Sequence, residues 1–411
     1  MKNPLDKLRR RKSGGAYKEA GVDIDAQDRA LARVKELAEE TRTPGVLSGI
    51  GSFGGLFRPD LEEVGEAVLV SSADGVGTKL AVARRAGDLS TVGRDLVNHC
   101  VNDILVQGAK PLFFMDYVGA GKLEAGKLVE LVRGVADGCR ENDCALLGGE
   151  TAEMPGFYQP GDYELVGFIV GLVDRANLLD GSRVAPGDVL VALPSAGLHT
   201  NGYSLARKVI FEHEGLEADD PAPWLTRGRG TVAEELLATH ISYLKPLTPL
   251  LRHPGLHGLA HITGGGLTDN LPRVLPDDSH ADVRVGSWEI PEIFTWLQEK
   301  GDVEDEEMLR VFNMGVGMVA VVAADALGEV LASLRASDQR SFVIGTVQSG
   351  GSGVVYDLDS SGGLNVPEEA AVAGGDVAAD SGSDGGGSDG GGSNDSGSND
   401  GGSNDSDPGS R

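Results

Sequence analysis

Cysteine is scarce in this chain of 411 residues: Cys100, Cys139 and Cys144 form an odd set without C-x-x-C spacing. That excludes a disulfide framework and gives no zinc signature, and a reducing, cytoplasmic compartment is the simplest setting. Aromatic residues make up only 5%, too few for a surface built on stacking. No run of 18 apolar residues free of charge occurs, which argues against a membrane-spanning helix. The basic start, MKNPLDKLRRRKSGG, has no apolar run behind its charges and does not read as a secretory signal. The phosphate-loop spacing GxxxxGK[ST] is absent as well.

Acid is abundant. Against 36 Lys and Arg stand 63 Asp and Glu, a net charge of −27. Residues 368–411 hold ten acids and one Arg, so −9 lies there and −18 in the rest. With 12 Lys against 24 Arg, this is a halophilic-type composition, in which salt screens dense like charge. An ordinary acidic protein with plentiful Arg, Gly and Ala is the alternative. In either case a polyanion is a poor partner for nucleic acid or an anionic membrane surface. An anionic substrate needs its own local nest of donors.

Hydrophobic residues at 40% supply real cores, and the length fits two domains. Residues 1–16 read as a mobile arm. From Glu368 the chain collapses into Gly, Ser, Asp and Asn, a composition that reads as disordered. Between them, helices are expected over Asp25–Arg42, Thr91–Val106, Lys122–Asn142, Gly202–Glu212, Val232–Thr239, Leu267–Val274 and Trp288–Glu299. Strands are expected at Ala67–Ser72, Pro111–Val118, Cys144–Leu147, Tyr163–Val173, Val189–Leu193, Gly315–Val322, Phe342–Val347 and Gly353–Asp357. The alternation gives an α/β or α+β class. The Gly, Ser and Pro of Asp180–Asp188 mark a joint, with one domain over 17–175 and a second over 176–360.

Five constellations carry chemistry. In Ser71–Lys79 a strand ends in Asp74, followed by Gly75, Gly77, Thr78 and Lys79. The glycines would let backbone N–H groups approach phosphate oxygens, and Lys79 adds a point charge; a plain turn is an equal alternative. In VNHCVNDI, Asn102 and Asp103 are polar residues in an otherwise apolar helix; a surface face of the helix is the alternative, but the flanking apolar residues point to burial of Asp103, and a buried carboxylate wants a metal or a base. In GGETAEMPG, Glu150 follows a Gly pair after a strand. Asp74, Asp103, Asp116 and Glu150 sit at or near element ends, and their hard oxygens favour magnesium over zinc. The loop before the Gly202 helix offers His199, Thr200 and Asn201 as donors. The loop Thr263-Gly264-Gly265-Gly266 after His261 repeats the pattern; a helix cap is the simpler reading of each loop alone.

Taken together, YKEAGVDID from Tyr17, DGVGTK from Asp74, VNDILVQGAKPLFFMDY from Val101, GGETAEMPG from Gly148, GLHTNGYS from Gly197, HITGGG from His261 and FNMGVGM from Phe312 resemble the phosphoribosylformylglycinamidine cyclo-ligases, also called AIR synthetases. The resemblance implies an α+β N-terminal domain with a mixed sheet, an α/β C-terminal domain and a homodimer in which strands of both N-terminal domains share a barrel. It implies ATP and Mg2+, and closure of the imidazole ring of 5-aminoimidazole ribonucleotide from formylglycinamidine ribonucleotide. On that basis Asp74, Asp103 and Glu150 are expected at magnesium. Lys79 and the Gly49–Gly55 loop, with Gly51, Gly54 and Gly55, are expected to steady the triphosphate. His199, Thr200 and Asn201 are expected to bind substrate or shuttle a proton, and Thr263–Gly266 to cradle a phosphate with His261 turned to the reacting centre. Two other readings stand beside this one. A kinase or selenophosphate synthetase-type relative would leave a stable phosphorylated product, and the selenium enzyme usually needs a reactive Cys or selenocysteine in its N-terminal loop, where residues 13–24 have no Cys. A non-catalytic nucleotide-binding scaffold would show eroded carboxylates, and all are present.

Overall fold

A computed structural model describes residues 24–51 and 53–358. The expected arm, the Tyr17 boundary with most of the YKEAGVDID stretch, and the acidic tail lie outside the described residues.

The first half contains α1 (Ile24–Glu39), β1 (Ala67–Gly75), α2 (Lys79–Ala86), α3 (Val92–Leu105), β2 (Lys110–Ala120), α4 (Ala125–Glu141), β3 (Ala145–Glu153) and β4 (Tyr163–Asp174). Its four strands lie in the order β1-β4-β2-β3, antiparallel except for the β2–β3 pair. Period-2 alternation sorts the side chains. Phe114, Val118, Leu165 and Ile169 face the helices and are buried. Leu69, Met115 and Phe168 point the other way and are 65%, 37% and 43% exposed. The helices α3 and α4 cross closely enough that a Cβ on Gly93 would meet the carbonyl of Leu131.

The second half contains β5 (Val189–Pro194), α5 (Tyr203–Arg207) running into a π-helical turn at Lys208–His213, α6 (Val232–Leu236), α7 (Leu244–Leu247), β6 (Leu256–His261), α8 (Gly266–Asn270), β7 (Ser279–Arg284), α9 (Glu292–Gly301), α10 (Asp305–Val311), β8 (Val316–Val322), α11 (Leu327–Ala336), β9 (Phe342–Ser349) and β10 (Val354–Asp357). Its six-stranded sheet, β10-β7-β9-β5-β8-β6, is antiparallel except for β10–β7. β8 is buried along its whole length. The class is α/β with two mixed sheets. Among the described residues no helix is long and apolar enough to cross a membrane.

Three expectations shift. The strand expected at Cys144–Leu147 does not stop there: β3 runs on through the start of GGETAEMPG to Glu153, paired with β2. Helix α9 starts at Glu292, because Pro291 is extended, and Trp288 stays outside with its indole N–H on the carbonyl of Met314. β6 and β7 are not among the expected strands, since LHGLAH and SHADVR mix polar and small residues and gain their strand character from β8 and β9.

Candidate active site

Helix α3 builds the site. His99 and Asp103 are four residues apart and share one face. His99 Nε2 lies 2.9 Å from Asp74 Oδ2, at the end of β1, and 3.8 Å from Asp103 Oδ2. Asp103 Oδ1 is 2.9 Å from His261 Nδ1, at the end of β6, and its Oδ2 accepts from Ser72 Oγ at 2.9 Å. Burial disfavours the Asp74 carboxylate, but the hydrogen bond and charge of His99 outweigh it and hold its pKa below the usual range. Burial works against Asp103 as well, and His261 and His99 bring it below its ordinary value. His99, desolvated yet between two carboxylates, is raised.

The adjacent edge of α3 joins the two halves. Asn98 Nδ2 donates to the carbonyl of His240 and Asn102 Nδ2 to that of Ile241, both at 2.8 Å. Asn102 Oδ1 accepts from the Tyr243 N–H at 3.0 Å, and Asp95 Oδ1 from the His240 N–H at 2.7 Å. These amides replace the backbone partners that the 240–243 segment lacks.

His240 is not among the expected residues, since no motif surrounds it. It is fully buried and stacks on His199 with ring centroids 3.9 Å apart. It closes a chain of contacts: His99 Nδ1 to Thr200 Oγ1 at 2.8 Å, Thr200 Oγ1 to His240 Nδ1 at 3.3 Å, and His240 Nε2 to His261 Nε2 at 3.1 Å. From Asp74 to Asp103 this makes five contacts. With neutral rings they hold four protons, three from histidines and one from Thr200. The gap falls between His240 and His261, where one further proton completes the path. The arrangement can therefore pass a proton between two carboxylates without water. The i, i+4 spacing of His99 to Asp103 is the signal in the sequence that could have found it.

A cavity of about 590 Å3 opens beside this chain, and Ser72, Asp74, Asp103, His261, Thr263 and Arg273 help line it. The Asn270 amide ties the glycine loop by donating to the carbonyls of Thr263, Gly264 and Gly266. Gly265 and Gly266 have φ of +101° and +59°, and a Cβ on Gly266 would meet the carbonyl of Leu309. A Cβ on Gly264 would lie 3.2 Å from Asn201 Oδ1, so the two loops of the second half touch here.

Other expected residues lie elsewhere. Lys79 is wholly buried, 2.8 Å from Asp95 Oδ2, and its Nζ donates to the carbonyl of Ala238 at 2.8 Å; no ammonium is left for a triphosphate. Burial pushes Lys79 down and Asp95 up, each opposed by the other's charge. The N–H of Gly75 is taken by Asp74 Oδ1 at 2.6 Å, and Gly77, at φ +54°, passes the carbonyl of Thr200. Thr78 Oγ1 meets Ser204 Oγ at 3.3 Å.

His199 is buried at φ +59°, its Nε2 accepting from the Ala196 N–H at 3.0 Å. It backs His240 and does not line the cavity. Glu150 sits on β3, three strands from β1 and so about 14 Å from Asp74; it does not join Asp74 and Asp103 within one chain. Asp116 is also apart, packed on Gly149 with its carboxyl pushed by burial to about 7. The Gly49–Gly55 loop lies at that same far edge: Gly51 approaches the Lys35 side chain and Gly55 packs on Leu147.

Similarity to known proteins decides the family. The model of the AIR synthase related protein N-terminal domain matches residues 60–173, and that of the C-terminal domain residues 185–357. The phosphoribosylformylglycinamidine cyclo-ligase of Trichlorobacter lovleyi is 49% identical over 338 residues, 82% of this chain and 96% of its own. That of Citrifermentans bemidjiense is 50% identical over 331 residues, 80% and 94% of the two chains. The chain belongs to the phosphoribosylformylglycinamidine cyclo-ligase family. Solved structures extend the likeness in fold alone. A thiamine-monophosphate kinase from Stenotrophomonas maltophilia superposes with a TM-score of 0.59 at 20% identity, over 81% of this chain and 96% of its own. The hydrogenase maturation protein HypE, solved with ATP, gives 0.58 at 18%, over 79% and 90%. The cyclo-ligase motifs DGVGTK, VNDI, GLHTNGYS and HITGGG all meet around α3, whereas GGETAEMPG and the Gly49–Gly55 loop sit across the sheet.

Proposed function

We infer that the cleft between the two sheets performs the reaction of the family, the ATP-dependent cyclisation of formylglycinamidine ribonucleotide to 5-aminoimidazole ribonucleotide in purine biosynthesis. The observation that carries the site assignment is the meeting of Asp74 and Asp103 on His99, with His261 on the wall of the same cavity.

The formyl carbon is a weak electrophile because oxide is a poor leaving group. ATP supplies the phosphoryl group that makes the formyl oxygen leave as phosphate. An amidine nitrogen then attacks that carbon and gives up a proton. Asp103, on the cavity wall and hydrogen-bonded to His261, stands where such a proton can be taken, and the His261–His240–Thr200–His99 chain joins it to Asp74. The Thr263–Gly266 loop would hold a phosphate through the N–H groups of Gly264 and Gly265, that of Gly266 being given to the Thr263 carbonyl. Asp74 and Asp103 offer hard oxygens on the cavity wall, a donor set that suits Mg2+ with phosphate oxygens and water completing its shell. Magnesium there would neutralise charge on the transferring phosphoryl group.

The active unit is a homodimer in this reading. The outer face of the four-stranded sheet is apolar and open at Leu69, Met115 and Phe168, and monomers seldom leave such a face uncovered. A second copy on it brings the far-edge elements of one chain, Glu150 and the Gly49–Gly55 loop, towards the Asp74 edge of the other. A cytoplasmic setting fits the three free, buried cysteines.

Substrate carrying heavy oxygen in its formyl group tests the reaction. One labelled inorganic phosphate per imidazole is expected. A kinase leaves phosphate on an organic product, and a scaffold releases none. Imidazole formed together with unlabelled phosphate refutes activation of the formyl oxygen.

A further inference from the structure

Among the residues lining the 590 Å3 cavity, Arg273 is the single Lys or Arg, set against the carboxylates of Asp74, Asp103 and Asp180. Among the described residues no carboxylate pairs with it. A cavity of this size suits a small ligand, yet three acids repel the phosphate dianion of a ribonucleotide from most of its wall.

The backbone that carries Arg273 is held in place, while its side chain is exposed. It lies on a 3-10 turn, Leu271–Val274, begun by Pro272 and anchored by the buried Leu271 and Val274. One turn earlier, Asn270 fixes the Thr263–Gly266 loop through three carbonyls. The segment from His261 to Val274 is thus one braced unit. It presents a proton-transfer group at one end and an unpaired guanidinium at the other, both on the same cavity.

We propose that Arg273 is the recognition residue for the 5′-phosphate of the ribonucleotide substrate, the one cationic point on a wall that otherwise carries Asp74, Asp103 and Asp180. This rests on the cyclisation reading above and adds the polarity of the bound substrate: phosphate at the Leu271–Val274 turn, reacting amidine and formyl groups at His261. A guanidinium matches a phosphate with two parallel N–H donors, which an ammonium cannot reproduce.

The test uses the full chain and its R273A and R273K variants. Calorimetry without ATP measures binding of the substrate ribonucleotide and of its dephosphorylated ribonucleoside. Steady-state assays with ATP and Mg2+ measure kcat and KM. For R273A, ribonucleotide Kd and KM should rise about 10- to 100-fold, the range for losing a charge-assisted hydrogen bond, and the loss should fall on KM rather than kcat. Ribonucleoside binding should not change, and R273K should lie between. An unchanged ribonucleotide Kd in R273A overturns the proposal. So does an equal loss for ribonucleotide and ribonucleoside, which would mark a general distortion of the cavity. The binding arms are read without turnover. An unsubstituted chain that forms no imidazole would therefore count against the reaction, while calorimetry would still decide for or against Arg273.

Discussion

Asp103 holds three partners at once: Ser72, His261 and, at longer range, His99. Asp103→Asn keeps the volume and an acceptor oxygen but removes the charge. Turnover should fall at least about 100-fold, the scale of a lost acid–base group, with little change in melting temperature. Activity near that of the unsubstituted chain at saturating Mg2+ would remove Asp103 from the chemistry. The neighbouring histidines set a pH dependence of stability. Burial holds His199 and His240 well below 6.5, and His261 below it to a lesser degree. Below pH 6.5 the unfolded chain therefore binds more protons than the folded one. The stabilisation is complete above 6.5 and is lost as the pH falls. His99 has the opposite sign and acts only above 6.5, because its folded value is raised. Two such histidines give a slope of up to about 2.7 kcal/mol per pH unit. Urea titrations between pH 7 and 5 should show this loss, and His240→Asn should reduce the slope by about half. An unchanged slope would mean that His240 titrates normally.

At the scale of elements, α3 explains what is legible in the sequence and what is hidden. The apolar periodicity of VGRDLVNHCVNDIL marks the helix, and two acids stand in it, Asp95 wholly buried against Lys79 and Asp103 partly open to the cavity. The polar edge is ambiguous, because Asn98 and Asn102 look the same whether they face water or replace backbone partners. Only the 240–243 segment, some 140 residues later, settles the matter. Lys79 misleads for a similar reason. DGVGTK looks like a phosphate loop until Asp95 is seen beside the ammonium. His240 has no local signal at all. By contrast β1, β2, β4 and β8 are visible because their runs are long and apolar, whereas β6 is short and holds two histidines. The joint can be tested at Asn102. Asn102→Ala strands the Tyr243 N–H and the Ile241 carbonyl, and should cost about 2–4 kcal/mol in urea denaturation, since each buried group left unpaired costs about 1–3 kcal/mol. A loss below about 0.5 kcal/mol, the range of ordinary surface changes, would show that the segment is held by other means.

For the whole molecule, the open sheet face governs assembly. Phe168→Asp places a charge at its centre, across from Met115 in the register. The variant should sediment as a monomer and lose turnover, while its circular dichroism stays that of the unsubstituted chain. A dimer that survives this change would move the interface elsewhere. The brace on the opposite side of that sheet has another consequence. Lys79, Asp95, Asn98 and Asn102 fasten the first half to residues 238–243 through buried polar contacts. None of these groups can let go singly without stranding a buried partner. The two sheets then form one cooperative unit, and the cleft cannot gape like a hinged clamp to admit its ligands. Exchange has to pass through the mouth of a rigid vessel. Calorimetry should give a single endotherm whose van't Hoff and measured enthalpies agree per cooperative unit, and hydrogen exchange at the Tyr243 amide should be as slow as in the middle of β8.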